Sequence, residues 1–268
     1  MSAAASRLDD ATAARLDELV ARLPGAIRRG HAPDVRAREA ECAPTGIAEL
    51  DEALGGGFPR GRLSELRGRG SAGLTSVAQR AAGRATARGD LVAWIDAPDA
   101  LDPESAAASG IALDRLLWIR APDLLAAFAA GEQILALGGF PLVVLDAGLP
   151  YRATPEGVRV ERLDEAVAAR RASRFVDRRT GRARASAAAW VRLARAAARS
   201  RSALVVLVRG DDAGAGTSAA VRLELPPARV VWDRAHGAPP LLDGLQARIV
   251  IKRNRGASGE RALAVALA

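Results

Sequence analysis

The residues Gly68-Arg-Gly-Ser-Ala-Gly-Leu-Thr75 have the spacing of a phosphate-binding loop, G-x-x-x-x-G-K-[ST], with Leu74 where the lysine belongs. In such a loop, glycines let successive backbone N–H groups converge on phosphate oxygens, and the following helix offers its N-terminus. The lysine neutralises the terminal phosphates and the Ser or Thr holds Mg²⁺. Gly68, Gly70, Gly73 and Thr75 remain, as does Asp146 at the end of the apolar run LVVLD. Leu74 supplies neither charge nor a hydrogen bond. Two readings stand: a nucleotide cradle that works through backbone amides alone, and a tight strand-to-helix turn that needs glycine for its shape. The spacing alone leaves both open.

A second group of residues carries charge rather than catalysis. Residues 150–201 hold fourteen arginines against five acids. Within them FVDRRTGRARAS reads as a loop between two helices. Arg174, Arg178, Arg179, Arg182 and Arg184 are candidates for sequence-independent contact with DNA phosphates. Stacking partners for bases are scarce nearby: Tyr151, Phe175 and Trp190, the last on a helix and expected in the core. The alternative is a solvated arginine-rich helix pair.

The elements that must position these groups follow from the pattern of apolar residues. Short runs rich in Val, Leu and Ile (LSELRG, LVAWIDA, LLWIRA, LVVLDAG, ALVVLVRG) alternate with helical stretches. That alternation predicts an α/β fold with a mostly parallel sheet covered on both faces. From residue 221 onward the runs VRLEL, ARVVWD, LQARIVIKRN and RALAVALA alternate at period two, predicting an antiparallel extension. At the other end, Leu8, Leu16, Leu19 and Val20 fall on one face of a helix that stops at Pro24-Gly25. This apolar face is a candidate partner-binding or self-association surface. The expected division is an association segment, residues 1–43, and a core, residues 44–268.

Composition narrows the class of partner. The net charge of +8 favours an acidic partner such as nucleic acid, although Lys252 is the single lysine and an arginine-biased genome gives the same excess. Cys42 is alone, so no disulfide framework or thiolate metal cluster is expected. His31 and His236 are too few for a metal site, and no metal or cofactor is expected. No apolar run reaches membrane-spanning length and no signal-peptide pattern opens the chain, so a cytoplasmic protein without membrane contact is expected.

The order of the motifs resembles the RecA recombinase core. It has the entry PTGIAELDEALGGGFPRGRLSEL, the glycine loop, WIDAPDALDP, the Walker B-like strand LVVLDAG and the terminal RIVIKRNRG. The resemblance implies a RecA-like fold over roughly 44–265. It places the Mg²⁺ hydroxyl at Thr75 and the Walker B acid at Asp146. It places the water-activating glutamate at Pro98, the γ-phosphate sensor at Arg209-Gly210, and the lysine pair that reaches a neighbour's nucleotide at Arg253 and Arg255. Leu74 and Pro98 are the departures, and with the changed sensor they imply that ATP hydrolysis is absent. The stretch following the sensor, RGDDAGAGTSAA, has no aromatic to insert between bases, which speaks against strand exchange.

Within that group the chain resembles the ImuA proteins of bacterial mutagenesis cassettes. This likeness implies a non-enzymatic adaptor or regulator in SOS-induced translesion DNA synthesis and damage-induced mutagenesis. The partners it implies are an ImuB-like inactive Y-family polymerase homologue, RecA or both, with DNA through the arginine-rich segment and homo-oligomers left open. Two alternatives stand: a DNA-dependent ATPase or recombinase paralogue, and a SulA-like inhibitor of cell division.

Overall fold

A computed structural model describes residues 41–69, 72–148, 185–210, 214–233, 241–255 and 259–267, all within one compact unit, residues 38–268. The candidate residues Leu8, Leu16, Leu19, Val20, Gly70, Arg174, Arg178, Arg179, Arg182 and Arg184 lie outside the described residues.

The elements run in the predicted order. Strand β1 (Cys42–Ala43) pairs antiparallel with β2 (Phe58–Pro59), and helix α1 (Ala48–Leu54) lies between them. Strand β3 (Leu63–Gly68) leads through the glycine loop into α2 (Leu74–Ala87). Then come β4 (Val92–Asp96), α3 (Pro103–Ala108), β5 (Leu116–Arg120), α4 (Leu124–Leu137) and β6 (Leu142–Asp146). Beyond the arginine-rich segment follow α5 (Ala187–Ser200), β7 (Ala203–Arg209), β8 (Val221–Leu225), β9 (Arg229–Asp233), β10 (Leu241–Asn254) and β11 (Arg261–Leu267). Short 3₁₀ turns cover Leu113–Arg115 and Gly216–Ser218.

The nine described strands of the main sheet lie in the order β11-β10-β8-β3-β7-β6-β4-β5, with β9 on β10. Strands β3 to β8 pair with one another in parallel, the β3–β8 pair included. The antiparallel extension therefore begins one strand later than the period-two pattern suggests, at the β8–β10 pair. The alternation in VRLEL reflects one covered face and one open face, not strand direction.

Helix starts follow local chemistry. The carboxylates of Asp102 and Asp123 accept from the N–H groups of Ser105 (2.9 Å) and Ala126 (2.7 Å), and Ser186 Oγ accepts from Ala189 N (3.2 Å). Helix α2 has no such cap: Gly73 stands at its start.

Two apolar layers close the sheet. On one face, α1 and α2 bring Leu50, Leu74, Val77 and Ala81 against Leu66, Val205, Leu207 and Leu223. On the other, α4 and α5 bring Phe128, Trp190 and Leu193 against Leu63, Ile95, Leu145 and Val206. The rings of Phe128 and Trp190 meet edge to face with centroids 4.6 Å apart. Trp190 is thus a core residue, as its helical position predicts. With few aromatics in the chain, such pairs supply shape that the many alanines cannot.

Candidate functional site: a glycine loop closed by the chain's own side chains

The site lies at the carboxyl ends of β3, β6 and β7, where parallel α/β sheets place ligands. Gly68 ends β3, and its carbonyl accepts from Gly210 N at 2.8 Å. Gly73 adopts a left-handed backbone, φ 84°, which only glycine takes without cost. The space beside it is also taken: a Cβ there would lie 2.6 Å from Leu267 Cδ1, on the last described strand. The shape of the turn thus accounts for this glycine.

Leu74 begins α2 and points into the protein, with 2 % of its surface exposed. It belongs to the apolar layer of Leu66, Leu225 and Leu267. Burying such a side chain stabilises the fold by about 2 kcal/mol. The residue in the lysine position therefore serves the core beneath the loop.

Thr75 and Asp146, the positions to which the resemblance assigns the Mg²⁺ hydroxyl and the Walker B acid, have a resident partner. Arg209 Nη2, from the end of β7, donates to Asp146 Oδ2 at 2.7 Å and to Thr75 Oγ1 at 3.3 Å. The carboxylate is buried, and its other oxygen accepts from Gly148 N at 3.0 Å. A protein cation stands between the two groups a metal would need. Pairing a buried carboxylate with a guanidinium offsets the cost of taking both from water. Among the described residues, no group of three or more His, Cys, Asp or Glu could hold a metal ion.

Asp96, just before Pro98, is fully buried and fully occupied. It accepts from Ala100 N (3.1 Å), Leu101 N (2.9 Å) and Trp118 Nε1 (3.2 Å). Its role is to shape the turn over 97–101. Beside it Asp99 takes two bonds at 2.6 Å from Arg120, whose guanidinium lies 5.3 Å from the Trp118 ring centre. This pairing holds the Asp99 carboxyl below its ordinary value.

Arg253 and Arg255, at the positions to which the resemblance assigns a pair reaching a neighbour, bond to backbone carbonyls of this chain. Arg253 Nη1 donates to Gly216 O at 3.1 Å, and Arg255 Nη2 donates to Thr217 O. Two features were not anticipated from sequence. One is Glu65, a buried carboxylate on β3 that accepts from Arg67 Nε at 3.2 Å and from Ala215 N at 2.7 Å. A charged residue at an inward position of LSELRG, with arginine two residues on, was the available signal. The other is a cleft of about 500 Å³ beside the glycine loop, lined by Arg67, Arg69, Arg248, Lys252 and the acids Glu224 and Glu260. Those cations are scattered in sequence, and only strand register gathers them.

Strand order, site location and loop spacing define a phosphate-loop α/β domain in which Thr75 and Asp146 are engaged by Arg209. Residues 25–191 match the RecA N-terminal domain, and the chain belongs to that family. It is similar to Protein RecA of Picosynechococcus sp., 40% identical over 116 residues, 42% of this chain and 33% of the relative. It is 44% identical over 120 residues to Protein RecA of Saccharopolyspora erythraea, 44% of this chain and 35% of the relative. It is 41% identical over 109 residues to Protein RecA of Treponema denticola, 40% of this chain and 26% of the relative. The match covers about a third or less of the length of these curated relatives. No described helix is long and apolar enough to cross a membrane.

Proposed function

We propose that this RecA-family chain is a non-catalytic adaptor or regulator of the ImuA type, acting in the cytoplasm in SOS-induced translesion DNA synthesis. It binds an ImuB-like inactive polymerase homologue, RecA or both, and touches DNA through Arg174, Arg178, Arg179, Arg182 and Arg184. The observation that carries this reading is Arg209 seated between Thr75 and Asp146. Phosphoryl transfer depends almost wholly on positioning and charge. Here the lysine position is core, the glutamate position is Pro98 and the metal pair is engaged by Arg209. Each change removes a different part of the machinery.

The test is ATP binding and turnover by the purified chain, with and without single-stranded DNA, followed by pull-downs with RecA and an ImuB-like partner. No turnover together with partner capture fits the adaptor. DNA-stimulated turnover would replace it with the second reading, a DNA-dependent ATPase, which the retention of Thr75 and Asp146 favours.

A further inference from the structure

The segment that leaves β7 starts beside the strand that ends in the glycine loop. That segment, from Arg209 through the 3₁₀ turn at Gly216–Ser218, is tied to the body of the protein at each described point. At its start, Arg209 Nη2 bridges Asp146 and Thr75, and Gly210 N donates to Gly68 O. Gly210 O accepts from Arg67 Nη1 at 3.3 Å. Further on, Ala215 N donates to Glu65 Oε2 at 2.7 Å. The same carboxylate pairs with Arg67 (3.2 Å) and Arg222 (3.4 Å). At the far end, Gly216 O accepts from Arg222 Nη2 (3.0 Å) and Arg253 Nη1 (3.1 Å), and Thr217 O accepts from Arg255.

The clearances for these arginines are built in. A Cβ at residue 148 would lie 2.7 Å from Arg209 Nε, and one at residue 214 would lie 2.5 Å from both Arg67 Nη2 and Glu65 Oε1. Glycine at both positions lets each cluster close. Glu65 is wholly buried, so its charge is tolerable only with its guanidinium and amide partners in place. Loosening the segment would strand that charge. At the other cluster, a divalent cation would first have to displace Arg209 from Asp146.

We infer that the chain carries its own substitute for ligand: Arg209, together with Arg67, Arg222 and Glu65, holds Gly210 and residues 214–218 in one position whether or not nucleotide and divalent metal are present. A ligand shifts a conformational equilibrium only by its differential affinity for the two states. With one state fixed internally, Mg²⁺ and nucleotide have little left to select. The inference does not depend on the adaptor reading; turnover is scored separately and either can fail alone.

Hydrogen exchange by mass spectrometry on the full chain tests it, following the amides of Gly210 and Ala215. In the wild type, adding Mg²⁺ with ADP or a non-hydrolysable ATP analogue leaves their exchange unchanged within about twofold. The substitutions Arg209→Gln and Arg67→Gln, both at partly exposed side chains, speed exchange of the adjacent amide by about tenfold or more. A slowing of about tenfold on adding Mg²⁺ and nucleotide to the wild type would overturn the inference. So would unchanged exchange in both variants. If one variant fails to fold, the other and the wild-type comparison decide.

Discussion

Asp146 and Arg209 stand at the ends of strands β6 and β7 and meet at 2.7 Å, the carboxylate buried and the guanidinium about one-third exposed. The pair also fixes Gly148, whose N–H reaches the second carboxylate oxygen. Removing either partner alone leaves the other with an unmet charge or an unfilled acceptor. Asp146→Ala is expected to lower unfolding free energy by about 1–3 kcal/mol. A double-mutant cycle with Arg209→Gln should give a coupling of roughly 1–2 kcal/mol in denaturant unfolding. Additive losses would mean that the two residues act separately.

Replacing Leu74 with lysine, the simplest way to restore the loop motif, is expected to damage the fold instead. The leucine fills the layer under the loop, and an ammonium buried there is set among apolar side chains. The cost is about 2–4 kcal/mol, read as a lower denaturant midpoint. On the adaptor reading, ATP turnover is expected to be absent from this variant too, because Pro98 and Arg209 remain. A stable, active Leu74→Lys enzyme would show that the lysine alone had been missing.

Acid should act on Asp99 in a defined direction. Hydrogen bonds from Arg120 depress its folded carboxyl below the ordinary value of 3.8. The stability it contributes is therefore present at neutral pH and is lost as pH falls through the depressed folded value. Asn suits the left-handed backbone at this position, φ 54°, so Asp99→Asn tests charge without adding strain. The variant should melt below wild type at neutral pH, and the gap should close as pH falls below 3.8 and through the depressed folded value. A constant gap would assign the difference to something other than this ion pair.

The arginine-rich segment has a salt signature. Neutralising Arg178, Arg179, Arg182 and Arg184 together should weaken binding to single-stranded DNA. It should also flatten the slope of log affinity against log salt by about 3 units if all four reach phosphates. An unchanged slope would place them on a solvated face.

Much of the fold was legible because parallel strands buried on both faces write themselves as unbroken apolar runs. LVVLD and ALVVLVR are the clear cases. The strand-to-helix turn that needs glycine was legible at Gly73. What could not be read was where charges go after folding. Arg209 and Asp146 are 63 residues apart, and no spacing rule links an arginine at one strand end to an acid at another. Glu65 was hidden for the same reason: its guanidinium partners come from its own strand and from β8, and only parallel register brings Arg222 opposite. The direction of β8 was missed because alternation reports which face is covered and says nothing of which way a strand runs.

The place of β3 in the sheet also bears on how the protein is made. The strand that ends in the glycine loop lies between β7 and β8, with Leu63 opposite Leu204 and Ser64 opposite Val221. Glu65 waits for the amide of Ala215, 150 residues further on. At about 5–20 residues per second, a ribosome takes on the order of ten seconds to deliver those partners. Until β7 and β8 are made the central strand has neither of its neighbours, while β4, β5 and β6 can already pair among themselves. The two partners of β3 are thus the last of the parallel strands to be delivered, while the opposite flank is already available for pairing.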